Sequence, residues 1–377
     1  MRSQTLRRQV YVPLTVIALG CVIAAGLLWH SKNGAEAGQD NKTTIVPPHV
    51  LRQHPVTFGV ADPKLIHQSR QVQAAQLARM RSIGITSIRL DANWDWVQFG
   101  GPRSYDWTLL DAEIHSARAA KMKVDLVIVG CPAWAALPGT SGDSAPRPAS
   151  AQQFAGWAHA VASRYAPLGV NDYEIWNEPN DTKFWQPRAN PAFYTRMLKD
   201  SYRAIKRVDK SAFIIAGGLA PIPTLNGSIG SMRFLRAMYA DGAKGYFDAV
   251  ALHPYCFPAL PDTFESWSAW SQMSATNPSI RSVMRNHGDG RTPIWLTEFG
   301  APSNGPKGIG QNGEAAEFRQ AIAFSKKTGW IGALFVYTWQ DTSTNPRANA
   351  GWFGLVNTRY QPKAAYWAVK RAIARKA

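Results

Sequence analysis

Several features that mark other classes of protein are scarce or missing in this chain of 377 residues. Only three cysteines occur, and no spacing of Cys and His matches a metal site. No glycine-rich turn follows the first predicted strand, which weakens a nucleotide-binding fold. No internal repeat with a period of roughly 20 to 50 residues is visible. We therefore expect no metal ion and no organic cofactor.

Acidic residues are also few, since 25 Asp and Glu stand against 42 Lys and Arg and leave a net charge of +17. Such a surface favours polyanions or an anionic cell envelope as partners. Nucleic acid is not expected, because the basic residues are scattered and the one dense run, at 370–376, is typical of a solvated last helical turn. With 45% hydrophobic and 18% charged residues, the chain can fold around a sizeable core.

The N-terminus resembles an export element. Three arginines in residues 1–9 precede a mostly apolar run at 10–29, which is long enough to span a bilayer. The positive charges predict that 1–9 is cytoplasmic and that the chain after the run lies outside the membrane. Residues 30–54 are polar and contain proline, as in a tether. The small residues at 35–37 leave a cleaved signal and a retained anchor both open.

From residue 55 to residue 377, apolar runs of strand length alternate eight times with amphipathic, helix-like stretches. This order predicts one domain of the α/β class, a closed (β/α)8 or TIM barrel. A doubly wound open sheet would show the same alternation, but the missing glycine-rich turn speaks against it. The predicted strands are 56–61, 87–90, 124–129, 170–176, 213–217, 249–252, 294–296 and 332–337. The predicted helices are 71–82, 107–121, 151–165, 192–208, 232–240, a stretch ending near 285, 314–326 and 363–374.

Two segments place a glutamate where a predicted strand opens into a loop. The first is YEIWNEPN at 173–180, and the second is IWLTEFG at 294–300. Barrel enzymes carry their catalytic groups at the carboxyl ends of the strands, so Glu178 and Glu298 are expected to act together on one bond. Glycoside hydrolysis is the reaction that needs two carboxyl groups and no cofactor.

These segments resemble the signature of clan A glycoside hydrolases, and families 5 and 39 are the most similar. The resemblance covers 55–377 and implies a retaining mechanism, in which Glu298 is the nucleophile and Glu178 is the acid and base. It also implies that the two carboxyl groups lie about 5 to 5.5 Å apart. Further matching positions are Arg89 at the end of the second strand, His253 and Tyr255 at the end of the sixth, and Trp339 at the end of the eighth.

The resemblance also implies how the two glutamates are held. Arg89 beside Glu298 would keep the nucleophile ionised, and the charge of Glu298 would keep Glu178 protonated. Tyr255 would donate a hydrogen bond to Glu298 and fix its rotamer, with His253 beside the same site.

Other residues are expected to contact the substrate. Asn177 would bond the 2-hydroxyl of the sugar, and Trp339 would be the platform for the ring bound on the nonreducing side. Aromatic faces suit the axial hydrogens of sugars. Stacking and packing are equally open for the tryptophans in or next to loops that follow strands, which are Trp134, Trp185 and Trp352.

Glu174 and the two cysteines beyond the N-terminal run are given structural roles. Glu174 lies four residues before Glu178 on the same strand, so it faces the same side at greater depth, and an ion pair within the core is expected. Cys131 and Cys256 follow the third and sixth strands, far apart around a barrel. Two buried thiols are therefore favoured over a disulfide.

The resemblance is incomplete at the third strand. Family 5 enzymes usually have a His at its end, whereas this chain has Val129-Gly130-Cys131, so contacts at the 3-position of the sugar are not implied. Three substrate classes remain open: β-galactofuranosyl wall galactan, β-xylosides and β-glucans. A catalytically silent glycan-binding or matrix protein on the same fold is the alternative. We predict a bacterial cell-envelope or secreted protein whose partners are a polysaccharide and, through 10–29, the membrane.

Overall fold

The computed structural model of the chain describes residues 55–140, 145–348 and 350–375. The predicted cytoplasmic segment, the membrane or signal segment and the tether, at 1–9, 10–29 and 30–54, lie outside these residues. Within the described residues, no helix combines the length and the apolar character that crossing a membrane requires.

Eight parallel strands form a closed barrel in which each strand pairs with the next in the chain and the eighth pairs with the first. The predicted (β/α)8 architecture is therefore confirmed for the described part of the chain. The strands are β1 Thr57–Ala61, β2 Ser87–Asn93, β3 Lys123–Val129, β4 Asp172–Asn177, β5 Phe213–Leu219, β6 Ala249–Leu252, β7 Ile294–Phe299 and β8 Ile331–Tyr337. The α-helices of this part are α1 Arg70–Ser82, α2 Trp94–Val97, α3 Thr108–Ala119, α4 Ala151–Tyr165, α5 Pro191–Val208, α6 Ser231–Ala240, α7 Ala269–Ser274, α8 Ile280–Asn286, α9 Gly310–Thr328 and α10 Ala364–Ala374.

Several elements differ from the predicted ones. Strand β7 runs three residues past its predicted end, to Phe299, and helix α9 begins four residues before its predicted start, at Gly310. Strand β2 runs three residues past its predicted end, to Asn93. The short helix α2 follows it directly, and the sequence pattern does not predict this helix. The helical stretch expected to end near Arg285 is two short helices, α7 and α8. Pro278 lies between them, and it cannot continue a helix because it lacks a backbone N–H.

Two of the long outer helices begin at capping side chains. The Ser150 hydroxyl accepts a hydrogen bond from the Gln153 N–H at 3.3 Å and starts α4. The Asn190 side chain accepts from the Phe193 N–H at 2.9 Å and starts α5, with Pro191 in its first turn. Such caps contribute about 1 kcal/mol each. They fix the points at which the loops over the carboxyl face of the barrel return to helix.

The barrel interior is apolar on one side and charged on the other. On the side of β5 to β8, large rings alternate with small residues, as in a closely packed core. The Trp295 and Phe335 rings are 6.1 Å apart there. On the side of β2 to β4, the inward positions are ionisable. The apolar group is Ile215, Ala249, Ala251, Trp295, Ala333 and Phe335, and the ionisable group is Arg89, Asp125 and Glu174.

Cys131 and Cys256 are free and buried. The expectation of two buried thiols is confirmed. Burial raises the pKa of both thiols, so both stay protonated and unreactive at neutral pH.

Candidate active site

A cavity of about 960 Å³ opens at the carboxyl ends of the barrel strands. Its size is within the usual range of small-molecule sites. His253 lies directly beneath it and contacts both predicted catalytic glutamates. The fold therefore brings the separate sequence segments to one place. The predicted residues that line the cavity are Arg89, Trp134, Asn177, Glu178, Tyr255 and Glu298.

The end of β4 turns sharply to present Glu178. Trp176 and Glu178 have φ angles of 70° and 47°, in the left-handed region that residues other than glycine rarely occupy. The Glu178 N–H donates to the Gly218 carbonyl at 3.0 Å. The Trp176 indole N–H donates to the Phe184 carbonyl at 2.9 Å. Strained backbone held by such bonds is common at functional sites, and here it places Glu178 in the cavity wall.

Two donors hold the carboxylate of Glu298 on β7. Arg89 Nη1 donates to its Oε1 at 2.8 Å, and the Tyr255 hydroxyl donates to its Oε2 at 2.9 Å. Both contacts agree with what the family resemblance implies. Because each oxygen has its own donor, the rotamer of Glu298 is fixed and its ionised form is favoured.

Arg89 joins Glu298 to the strand that carries Glu178. Its Nε donates to Glu174 Oε2 at 2.8 Å, which confirms the expected core ion pair of Glu174. Its Nη2 donates to Asn177 Oδ1 at 2.9 Å. Since Arg89 occupies this oxygen, the amide nitrogen of Asn177 is left to donate to a substrate hydroxyl.

His253 is fully buried beneath the two glutamates. Its Nδ1 is 2.8 Å from Glu178 Oε1 and 3.7 Å from Glu298 Oε2. Its Nε2 is 3.2 Å from the hydroxyl of Thr297, which donates its own proton to Glu174. Nε2 therefore carries a proton and donates to Thr297, while a second proton is shared between Nδ1 and Glu178.

Gly218 on β5 makes room for this arrangement. A Cβ atom at Gly218 would lie 2.2 Å from His253 Nε2, so any other residue would displace the imidazole. The Gly218 N–H also donates to Glu174 Oε1 at 2.8 Å. Gly218 thus leaves space for the imidazole of His253 and donates a hydrogen bond to the ion pair of Glu174 and Arg89.

The surroundings shift the pKa values of Glu178 and Glu298 in opposite directions. Burial raises the pKa of Glu178, and the charge of Glu298 adds to the rise, although His253 offsets part of it. Burial would also raise the pKa of Glu298, but the charges of His253 and Arg89 and the hydrogen bonds from Tyr255 and Arg89 outweigh it and hold this pKa below its ordinary value. The surroundings therefore favour the protonated form of Glu178 and the ionised form of Glu298.

Glu178, His253 and Glu298 are also the group of possible metal ligands in the described part of the chain, with ligand atoms within 4.8 Å of one another. A cation is disfavoured between them because Arg89 Nη1 already lies 2.8 Å from Glu298. Burial lowers the pKa of His253, but the charges of Glu298 and Glu178 outweigh it and raise this pKa, so metal binding would have to displace a proton. The expectation of no metal stays a prediction.

The prediction for Trp339 is wrong. Strand β8 ends at Tyr337, and the Trp339 side chain is 1% exposed and does not line the cavity. Its indole N–H donates to Gln76 of α1 at 2.9 Å, and its ring packs against Tyr366 of α10 at 6.0 Å. Trp339 is therefore a core residue. Tyr337, which the sequence pattern does not single out, lines the cavity at the end of β8.

The three loop tryptophans lie in different environments. Trp134 lines the cavity, and its indole N–H donates to the Gln98 carbonyl at 2.9 Å. Its ring meets that of Trp94 edge-on at 5.4 Å. Trp185 is fully buried, and Trp352 is not among the residues that line the cavity. Sugar stacking therefore stays a prediction for Trp134, while Trp185 is a packing residue.

Four aspartates that the sequence reasoning missed line the same cavity, namely Asp62, Asp91, Asp95 and Asp181. Asp91 lies two residues after Arg89 on β2, so the two-residue period of a strand places both on the inner face. The alternation continues to Asn93. This alternation was a usable signal, but it becomes visible only when β2 is extended beyond residue 90.

No protein-family model matches this chain, and no match is found among curated proteins. Solved structures are nevertheless similar. A family 39 glycoside hydrolase from the gut symbiont Bacteroides cellulosilyticus has a TM-score of 0.65 and 20% identity, and the match covers 87% of this chain and 65% of that one. A monomeric β-xylosidase from Caulobacter crescentus has a TM-score of 0.60 and 20% identity, over 87% of this chain and 69% of that one.

A xylanase from Thermotoga petrophila, solved with xylobiose, has a TM-score of 0.57 and 15% identity, over 84% of this chain and 94% of that one. The chain thus spans 65% of the length of the Bacteroides protein and nearly all of the xylanase. At these identities the similarity shows the barrel fold. The resemblance to clan A glycoside hydrolases is confirmed at that level.

Proposed function

We propose that this protein is a retaining β-glycosidase that hydrolyses O-glycosidic bonds by double displacement. The observation that carries the proposal is the approach of the two carboxylates, whose nearest ligand atoms lie within 4.8 Å, in surroundings that protonate one and ionise the other. Retention needs carboxyl groups about 5 to 5.5 Å apart, whereas inversion needs room for a water molecule and about 6.5 to 9.5 Å.

In the first step Glu298 attacks the anomeric carbon and forms an ester, while Glu178 gives its proton to the departing oxygen. Arg89 and Tyr255 hold the attacking carboxylate and keep it charged until the bond forms. The amide nitrogen of Asn177 donates to the 2-hydroxyl of the sugar, a contact that strengthens as positive charge develops on the ring.

In the second step Glu178 accepts a proton from water, and the water oxygen displaces the Glu298 carboxylate from the anomeric carbon. Each displacement inverts this carbon, so the two steps together retain its configuration. Esterification removes the charge of Glu298, which is one of the causes of the raised pKa of Glu178. Loss of that charge lowers the pKa of Glu178, so the group is protonated while it acts as the acid and deprotonates when it must act as the base. His253, which shares a proton with Glu178, supports both states.

The substrate is proposed at a coarser level than the mechanism. The similar structures include proteins described as a β-xylosidase, a xylanase and an exo-β-1,4-mannosidase. For this chain we keep β-galactofuranosyl wall galactan, β-xylosides and β-glucans as candidates, acted on at the cell envelope. The positively charged exterior and the apolar run at 10–29 support that location. Membrane fractionation with mass spectrometry of the mature N-terminus tests it, and a protein found only in the cytosol would contradict it.

The reaction is tested with a panel of aryl β-glycosides on the purified full chain. We expect turnover by the wild type, a first product of unchanged anomeric configuration by NMR, and no turnover by Glu298→Gln. Glu317→Gln is the matched control, because this glutamate on α9 is also buried, burial also raises its pKa, and it does not line the cavity. An inverted product would exclude double displacement. No turnover by the wild type, with polysaccharide still bound, would favour the silent glycan-binding protein.

A further inference from the structure

One side of the cavity is formed by side chains from the ends of β1 and β2. Asp62 follows β1, Asp91 and Asn93 lie on β2, and Asp95 lies in the first turn of α2. We call these four residues the β1–β2 wall. They lie above Arg89 on the inner face of the barrel, next to the carboxylate pair.

Tyr337 shows how close the wall is to the reacting groups. It lies beside Ala61 in the register of β1 and β8, and Ala61 in turn lies beside Arg89 in the register of β1 and β2. Burial raises the pKa of its phenol, and the charges of Glu298, Asp62, Glu178 and Asp91 raise it further. Tyr337, the two glutamates and the wall therefore surround one cavity, so one bound sugar can touch both the glutamates and the wall.

The aspartates of the wall have no ion-pair partner among the described residues, since none of the ion pairs found there includes Asp62, Asp91 or Asp95. Asp62 is only 7% exposed, and its Oδ1 accepts a hydrogen bond from the Lys64 N–H at 3.0 Å. Buried carboxylates are normally paired or bound to a ligand. Acceptor groups left without a cation next to a catalytic pair point to donors supplied by the substrate.

The charge of Asp62 and Asp91 at neutral pH follows from their pKa values, which burial raises. Burial raises the pKa of Asp62 to about 6, against the opposing backbone hydrogen bond and charge of Lys64. Burial raises the pKa of Asp91 to about 6, with Arg89 opposing and Glu298 adding to the rise. Both aspartates are therefore mostly ionised at pH 7 and accept hydrogen bonds.

Asn93 adds an independent observation. Its Oδ1 is buried and has no hydrogen-bond partner among the described residues. Gly130, at the end of β3 with φ of 83°, makes room for it, because a Cβ atom there would lie 2.1 Å from Asn93 Oδ1 and 2.4 Å from Asp95 Oδ1. The wall thus extends over the end of β3, and a side chain at Gly130 would collide with it.

We infer that the β1–β2 wall binds the sugar on the nonreducing side of the scissile bond, that it selects an uncharged sugar through its hydroxyl groups, and that it rejects uronic acids. The inference rests on the proposed function and narrows its substrate class. Carboxylate and amide oxygens accept hydrogen bonds from hydroxyls. A sugar carboxylate in the same place would meet like charges in a partly desolvated cavity.

The cationic side chains around the cavity give an anionic sugar no alternative partner at the wall. Among the described lining residues these are Arg89 and Lys183. Arg89 already donates hydrogen bonds to Glu174, Glu298 and Asn177. Lys183 follows β4, and its ammonium group lies 5.0 Å from the ring centre of Phe184.

The ionised aspartates of the wall would attract the ammonium group of an amino sugar, but the positive charges already at the site oppose that attraction. Arg89 lies one inward position below Asp91 on β2 and already offsets part of its charge. A sugar ammonium at the wall would place a further cation near Arg89 and near the positive charge that develops at the anomeric carbon.

The test compares sugars that differ only in the group at C6 or C2. Initial rates with aryl β-glucoside and β-glucuronide, and with aryl β-galactoside and β-galacturonide, give two matched pairs, and aryl β-glucosaminide probes an ammonium group. We expect kcat/KM for each neutral member to exceed that of its uronide at least a hundredfold. A uronide within tenfold of its neutral partner, or a glucosaminide preferred over the glucoside, overturns the inference while leaving the hydrolase function intact.

The variants Asp62→Asn and Asp91→Asn assign the effect to the wall. We expect each variant to lower kcat/KM for the neutral glycosides at least tenfold. The ratio of kcat/KM between a neutral glycoside and its uronide should also become smaller. The matched control is Asp172→Asn at the start of β4, because burial also raises the pKa of Asp172 to about 6, but Asp172 does not line the cavity. Wall variants that behave like this control contradict the inference.

If the wild type turns over none of these glycosides, the proposed hydrolysis fails, and binding decides the inference separately. Calorimetry of the same proteins with neutral cello-oligosaccharides and with oligo-uronides is then the readout. Binding of the neutral ligand alone, weakened by the wall variants and not by Asp172→Asn, supports the inference. Binding of the oligo-uronide, or of neither ligand, overturns it.

Discussion

The ends of β4 and β7 present the same side chain, a glutamate, in opposite surroundings. Glu298 on β7 accepts a hydrogen bond from the Arg89 guanidinium at one carboxylate oxygen and from the Tyr255 phenol at the other. Glu178 after β4 is buried, and its carboxyl group shares a hydrogen bond with Nδ1 of His253. The comparison teaches that the role of each glutamate is set by its neighbours, because the residue type is identical and the distance between the two is small.

The largest effect in this comparison is expected from removing the β7 carboxylate. Glu298→Ala should lower kcat by about 10⁴-fold or more, the scale on which enzymes lose activity without their nucleophile. Azide, which can enter the vacated space, should restore turnover and give a glycosyl azide of inverted configuration, as NMR of the product will show. If azide does not rescue Glu298→Ala, Glu298 is not the attacking group.

Removing the β4 carboxyl group should have a smaller effect that depends on the leaving group. Glu178→Ala should lower kcat/KM by about 10²- to 10⁴-fold for substrates with poor leaving groups, because general acid catalysis is worth that much. Substrates with activated aryl leaving groups should be affected far less in the first step. Rates across a series of phenols of increasing pKa test this, and an equal loss for all of them would contradict the role of Glu178 as acid.

Arg89 connects the two sides, so its removal should weaken both activity and the fold. Arg89→Met leaves Glu174 and Glu298 without their shared cation, and breaking a buried pair in this way costs about 3 to 5 kcal/mol. We expect that loss in the free energy of unfolding from urea titration, together with a fall in kcat/KM of about a hundredfold.

The control for this variant is Arg164→Met. Arg164 pairs with Asp111 on the surface, with the two side chains 40% and 26% exposed. An exposed ion pair of this kind contributes about 1 kcal/mol or less to the free energy of unfolding. Equal losses of stability in the two variants would show that the Arg89 network does not stabilise the barrel.

The smallest effect should come from Tyr255→Phe, which removes one hydrogen bond to Glu298. We expect a fall in kcat/KM of about tenfold, the scale of a hydrogen bond to a charged group.

The wild-type pH profile should be a bell whose acidic limb reports Glu298 and whose basic limb reports Glu178. The Tyr255 bond lowers the pKa of Glu298, so its loss should move the acidic limb to higher pH and leave the basic limb in place.

The control for the limb shift is Tyr173→Phe. The hydroxyl of Tyr173 is also buried, but it donates to the Val170 carbonyl at 2.8 Å, in contact with neither glutamate. This variant should lose stability without moving either limb. A shift of both limbs in Tyr255→Phe would mean that the phenol does not act on Glu298 selectively.

The approach of Glu178 and Glu298 could be predicted because the signals for both residues are local. An apolar run, a carboxylate and a following proline or glycine are adjacent in sequence at both strand ends, and the barrel then requires those ends to meet. Arg89, Asn177, His253 and Tyr255 could be placed near the pair for the same reason, since each lies in or just beyond a strand at the same face of the barrel.

Trp339 and Tyr337 could not be assigned in this way. They are two residues apart at the end of β8, and which of them reaches the cavity depends on where the strand stops. The pairing of β7 with β8 shifts register between Leu296 and Phe299, so the end of β8 cannot be counted from its neighbour. A shift of this kind changes which side chain faces inward.

The aspartates of the β1–β2 wall were missed for another reason. Asp62 and Asp91 lie 29 positions apart in sequence. The alternation from Arg89 to Asp91 and Asn93 places Asp91 on the inner face of the barrel, but it does not tell a buried aspartate from one at a solvated strand end. The burial of Asp62 and Asp91 and their proximity to Glu298 arise only when the barrel closes between β8 and β1 and brings both strands beside Tyr337.

The amino-acid sequence by itself determined the eight strand and helix pairs, the barrel and the two glutamates, because hydrophobic period and strand-end chemistry are properties of neighbouring residues. The tertiary structure alone decided how each glutamate is held, which aromatic residue faces the cavity and which aspartates lie in the cavity wall. These properties depend on burial and on charges within a few ångströms, and the chain brings those groups together only when it folds.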